Sequence, residues 1–365
     1  MVSNNKLEYK HYLQIDLLKG IAIIFVIILH LLPINITNTS NALLMSSYLT
    51  INNSVLINLA LNLTLYQAVP IFFVLMGLNM GSSFKRRNYV YFNQLYSKEY
   101  FKSRFDRIVI PFIFIFIISL IFSYAIKGNI LIGYFTILGL LPFTGPGNYF
   151  ISILLQFIII FPLLYLLYRY NPLLTLISCF VINFIFEIAA SMIPFLSNNS
   201  YLYAASILRY LFLIVLGLWA SDNFKLDKII HNKYIIIGLL IGIFYIFINS
   251  LFSLNFPCFQ PYWGIQNILS SFYPFIICIL GIKYFPNNSI NKTVNFVGYI
   301  GKASYHIFLM QILFFGLFWL LIIKLNMNNI PYYLIIFSFF GIISFVILLG
   351  LLFFKMHNKL VNNKR

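Results

Sequence analysis

The chain has 365 residues, of which 61% are hydrophobic and 8% charged, with a mean hydropathy of +0.92. A water-soluble domain of this length needs far more polar surface, so composition excludes one. The formal charge of +17 would suggest a nucleic-acid partner in a soluble protein, but in a membrane protein it first reports topology.

Apolar runs fall near 12–34, 66–84, 107–126, 149–169, 173–190, 202–221, 234–254, 265–284, 303–323 and 332–354. Backbone amides find no water in hydrocarbon, so each run is expected to be helical. The expected fold class is therefore an all-α polytopic membrane protein with about ten transmembrane helices. The first run follows Lys6 and Lys10, as a signal peptide would. It spans a full bilayer and lacks a small-residue cleavage site, so it reads as an uncleaved membrane helix.

An even number of crossings puts both termini on one side. Of the 24 Lys and Arg residues, twenty then fall on that side, in the N-terminus, the 85–107 loop, Arg169, 225–233, 283–302 and the C-terminus. Lys127 and Lys324 lie opposite, and Lys19 and Arg209 lie within helices. The bias places both termini in the cytoplasm of a multi-pass protein, expected in the plasma membrane. Topology thus accounts for the charge, and no nucleic-acid partner is expected. Neither repeat nor linker is visible, so 1–365 reads as a single transmembrane domain with no fused extracytoplasmic domain.

The first run, IDLLKGIAIIFVIILH, carries Asp16, Lys19 and His30. Eleven helical steps of 100° leave Lys19 and His30 roughly 20° apart, and fourteen steps leave Asp16 and His30 within about 40°. All three lie on one stripe, with Asp16 and Lys19 spaced i, i+3 and His30 about 16 Å further outward. Ionisable groups in hydrocarbon usually face a bundle interior or a wet cavity, so the stripe reads as a polar path from inside toward outside. The blander alternative is a snorkelling Lys19 paired with Asp16 and a His30 satisfied by a neighbouring helix.

Further along, 35–65 is an uncharged Asn/Ser/Thr-rich outer loop with sequons at Asn35 and Asn62. Lys85, Arg86 and Arg87 read as topology and anionic-lipid contacts. Pro142, Gly145, Pro146 and Gly147 break the helix in LLPFTGPGNYF, as an acceptor-side loop or a simple turn, and the stretch 130–141 before it is a candidate re-entrant segment. Glu187 and Arg209, inside the fifth and sixth runs, form an acceptor-side or a structural pair. Cys179 and Cys278 read as packing residues and Cys258 as a loop residue, with no disulfide or metal spacing. His306 reads as structural, and His11, His231 and His357 as solvated. No HExxH, GxSxG or Walker sequence occurs.

The first run resembles the first helix of the acyltransferase-3 family, integral-membrane O-acyltransferases that include fucose O-acetylase-like members. Its pattern is a basic residue, ten residues, then His, matched by Lys19 and His30, where many members carry Arg first. VPIFFVLMGLNMG (69–81) resembles the second-helix segment, with Met76 in place of a common Ser. FKSRFDRIVIPF (101–112) resembles the Arg-x-x-Arg segment, with Arg104 and Arg107. GNYFISILLQFIIIFPLLYLL (147–167) resembles the fourth helix. GKASYHIFLMQILFFG (301–316) resembles a late helix that commonly ends in His, where this chain has Gln311.

The resemblance implies transfer of an acyl group, most often acetyl from cytoplasmic acetyl-CoA, to a hydroxyl of a surface or lipid-linked glycan, with no metal. A sugar hydroxyl is a poor nucleophile, and a neutral imidazole can take its proton as attack proceeds. His30 is the candidate base, with acyl transfer through His30 itself as an open alternative. Lys19, Arg104 and Arg107 are candidate ligands for the CoA phosphates, Arg104 and Arg107 sharing one face at i, i+3. Lys19 and its neighbour Asp16 are also counted with His30 as candidate catalytic residues. The competing function is a transporter or flippase for a glycan or lipid-linked substrate, which inverted repeats and paired interrupted helices would favour. A receptor or scaffold would not need Lys19 and His30 in register.

Overall fold

The computed structural model describes residues 13–31, 55–128, 136, 139–143, 145–197, 199–222, 229, 232–252, 264–324 and 332–362. Among these residues there are helices and turns but no strands. The N-terminal cations with His11, the Asn35 sequon, Lys225, Lys228, His231, Cys258 and most of the proposed re-entrant stretch lie outside them.

The main helices are α1 (Leu13–Leu31), α2 (Val55–Leu63), α3 (Ala68–Arg86), α4 (Lys98–Arg104), α5 (Ile110–Lys127), α6 (Tyr149–Tyr170) and α7 (Pro172–Met192). They continue with α8 (Leu211–Asp222), α9 (Lys233–Phe252), α10 (Phe272–Tyr284), α11 (Lys292–Lys302), α12 (Ser304–Lys324) and α13 (Tyr332–Asn362). Every one of the ten apolar runs contains helix. Eight spans among the described residues are long and apolar enough to cross a membrane, while the segment 268–284 is shorter. The 202–221 run is interrupted: Ser206 is extended, a 3-10 turn covers Ile207–Tyr210, and α8 follows.

These helices form an all-α polytopic membrane bundle with α1 and α6 inside and α13 at its edge. Of the α1 span, 61% is buried, against 17% for the α13 span. α1 touches α3, α10, α11, α12 and α13. In lipid no hydrophobic force drives helices together, so close backbone approach at small residues has to supply the packing. Two crossings are built this way. Gly77 and Gly81 of α3 meet Gly217 and Ser221 of α8, and a Cβ on Gly77 would run into the Ile214 carbonyl. Gly20 of α1 meets Val297 of α11, while Gly301 of α11 sits on the Asp16 carbonyl. An ion pair between Lys85 and Asp222 closes the α3–α8 crossing at its end.

The chain before α5 departs from α-helix. Phe105–Val109 winds as a π-turn, and Pro111 follows near the start of α5. Proline has no N–H to offer the carbonyl four residues back, so the upstream ladder loses a donor. The Tyr305 hydroxyl of α12 donates to the Ile108 carbonyl in this turn at 2.9 Å.

Candidate active site

His30 lies in the last turn of α1 and faces protein. Its Nδ1 is 3.0 Å from Nε2 of Gln311 on α12, a contact between residues 281 positions apart. Phe315, one turn further along α12, packs edge-on to the imidazole at 6.1 Å between centroids. Gly147 closes another side: a Cβ there would stand 3.2 Å from His30 Cε1 and 3.3 Å from Phe308 Cε2. Its φ of +87° is a conformation that L side chains rarely adopt. Gly145 brings the same loop against the α12 backbone at Ile312. The stretch Gly145–Asn148 of the helix-breaking segment therefore forms one wall of the His30 site.

Two amides near His30 are conspicuous, one on α12 and one in this loop. Gln311 is fully buried, and its Oε1 has no hydrogen-bond partner. Asn148, next to Gly147, is 5% exposed, and neither atom of its amide is bonded. Unsatisfied buried polar groups are uncommon in folded proteins and call for an explanation such as an absent ligand or water.

At the other end of the stripe, Lys19 Nζ is 3.9 Å from Asp16 Oδ1, with Asp16 buried and Lys19 partly exposed. The rungs between Lys19 and His30 are shut. Ala22, Ile23 and Val26 are 1%, 0% and 2% exposed, leaving no room beside them for water. The open polar path expected along α1 is thus corrected to two polar ends separated by apolar packing. Arg104 and Arg107 flank the start of the π-turn at Phe105–Val109. Arg104 is half-buried, its guanidinium 5.6 Å from the Tyr100 ring, and Arg107 is exposed. Arg104 and Lys102 border an open cleft of about 330 Å³ with Phe101, Phe105, Val109 and Ile158.

A second polar cluster lies where the two shortened helical segments break. Glu187 of α7 accepts the Ile268 N–H at 3.0 Å and the Asn183 amide at 2.9 Å. Arg209 donates to the Gln266 carbonyl at 3.0 Å and stacks between the Tyr203 and Tyr210 rings at 4.7 and 4.9 Å. Both charges converge on residues 266–268. Gln156 of α6 bridges the other break: it donates to the Ala205 carbonyl at 2.6 Å and accepts the Ile207 N–H at 3.0 Å. Interrupted helices leave backbone groups that lipid cannot satisfy, and these side chains satisfy them. Tyr149 hydrogen-bonds Tyr210, so residues 147–149 touch His30 on one side and the Arg209 cluster on the other.

His306 and His357 give another correction. His357, expected to be solvated, is buried with its Nδ1 3.1 Å from His306 Nε2, between α12 and α13. Helix α13 runs to Asn362 and carries His357 back against the bundle. Among the described residues, no group of three His, Cys, Asp or Glu side chains is placed to hold a metal.

An apolar helical bundle with eight spans long and apolar enough to cross a membrane among the described residues defines an integral multi-pass membrane protein. The chain belongs to the acyltransferase-3 family: that family's model, an acyltransferase domain, matches residues 12–349. No curated protein and no solved structure matches it. The protein is a membrane acyltransferase.

Proposed function

We propose that this membrane acyltransferase moves an acetyl group from cytoplasmic acetyl-CoA to a hydroxyl of a surface glycan or lipid-linked sugar, with His30 as general base. The observation that carries the proposal is the setting of His30: a half-buried imidazole at the end of the central helix, walled by Gln311, Phe315 and Gly147. As the hydroxyl oxygen attacks the thioester carbonyl, its proton passes to His30. The carbon–sulfur bond breaks, and the departing thiolate takes the proton back to give free CoA. Lys19, Arg104 and Arg107 attract the CoA phosphates at the cytoplasmic end, with Asp16 holding Lys19. Ala22, Ile23 and Val26 are the apolar barrier that the acyl-bearing arm has to part or bypass. On the acceptor side, the unbonded Asn148 amide is offered to a sugar hydroxyl. Glu187 and Arg209 act structurally, since both bind the backbone of one helix break.

The test uses purified protein, acetyl-CoA and a glycan acceptor, with release of CoA thiol as readout. A positioned base contributes roughly 10²–10⁴-fold, so His30→Ala should lose about that much turnover while keeping its thermal melting profile. Unchanged turnover in that variant removes His30 from the chemistry.

A further inference from the structure

Gln311 touches His30 through Nδ1 of the ring. Only Nδ1 is in contact, which leaves Nε2 without a hydrogen bond among the described residues. The two ends of a primary amide have nearly the same shape, so two arrangements related by a half-turn of the Gln311 amide satisfy the same 3.0 Å contact. In the first, the amide N–H donates to Nδ1. The imidazole proton is then on Nε2, and the site presents a ring donor beside an amide acceptor. In the second, Nδ1–H donates to the amide oxygen. Nε2 is then bare, and the outer end of the amide becomes a donor. Only the second arrangement has an acceptor for a hydroxyl proton on the open ring nitrogen.

We propose that Gln311 is the positioning residue of this site: its amide oxygen accepts His30 Nδ1–H and so holds the imidazole in the tautomer whose Nε2 can act as a base. The inference rests on His30 being the base, and it adds which nitrogen acts and what fixes it. The local packing suits such a role. Gln311 is fully buried, with Phe315 one turn further along α12 and against the same imidazole, so neither partner is free to swing away. The half-buried Gln156 amide is bonded to backbone and the buried Asn183 amide to Glu187, whereas Gln311 has only the imidazole.

The test is a tautomer measurement, independent of turnover. The chain has five histidines, so the full-length protein labelled with 15N-histidine in lipid gives few imidazole signals, and the His30 signal is the one lost in His30→Ala. The wild type should show a protonated Nδ1 and a bare Nε2. Gln311→Leu should lose that preference and lower kcat roughly 10²-fold with little change in KM for acetyl-CoA. Gln311→Glu, which keeps an acceptor oxygen, should restore the protonated Nδ1. A wild-type His30 protonated on Nε2 overturns the proposal whatever the activity, and so does a Gln311→Leu protein with an unchanged tautomer. Failure of His30 as base shows separately, as full turnover in His30→Ala.

Discussion

Replacing Gly147 with alanine puts the geometry of the His30 site under direct strain. The residue has φ +87°, and an L side chain in the left-handed region costs about 1–2 kcal/mol. The added Cβ would stand 3.2 Å from His30 Cε1 and 3.3 Å from Phe308 Cε2, inside the 3.5–4.0 Å optimum for carbon contacts. The imidazole therefore has to retreat by a few tenths of an ångström. A 1 Å misplacement can cost about 10²-fold in rate, so a shift of this size should lower kcat by roughly tenfold, about 1.4 kcal/mol in the barrier. Gly139→Ala is the control. Its φ is +96°, but the nearest atoms to its Cβ, on Ile151 and Leu155, lie 3.4 Å away in ordinary contact. Both variants should melt lower by a similar amount, and only Gly147→Ala should also lose turnover in the thiol-release assay. Equal turnover in the two variants would show that the loop does not position His30.

Two further outcomes follow from the unsatisfied and the satisfied amides. Asn148→Ala removes a buried amide that bonds nothing, so thermal stability should hold or rise while transfer to the glycan acceptor falls; lower stability with unchanged transfer would make Asn148 structural. Gln156→Leu leaves the Ala205 carbonyl and the Ile207 N–H unbonded in the bundle, and at about 1–3 kcal/mol per orphaned group its melting temperature should drop markedly. An unchanged melting temperature there would mean that water reaches the break.

Much of the fold was legible because hydrocarbon leaves the backbone so few choices. Each apolar run contains helix, and His30, on the α1 stripe, packs against Gln311, Phe315 and Gly147. The shortened segments were harder to see, since Ser206 and Asn267, which cap short 3-10 turns, sit in runs whose hydropathy is still high. Gln156 and Gln266 were overlooked for a related reason, and Gln311 was noted only as a departure from the family's late-helix His, without its contact to His30. A single uncharged amide barely alters the hydropathy of its run, and its partner is fixed only by tertiary structure, in one case 281 residues away. A glutamine within an otherwise apolar run was the available signal. Glu187 and Arg209 stood out because buried charge is costly, yet their backbone targets at 266–268 depended on where the helices break. The expected path along α1 failed because angular register places side chains on one face but says nothing about how tightly their neighbours close over them.

The most direct measurement follows radiolabelled acetyl from acetyl-CoA into surface glycans, using membranes of a deletion strain that carry equal amounts of wild-type or His30→Ala protein. Wild-type membranes should transfer label that mild base releases as acetate, and His30→Ala membranes should transfer almost none. Equal labelling by the two proteins would contradict the assignment of His30 as the reacting base.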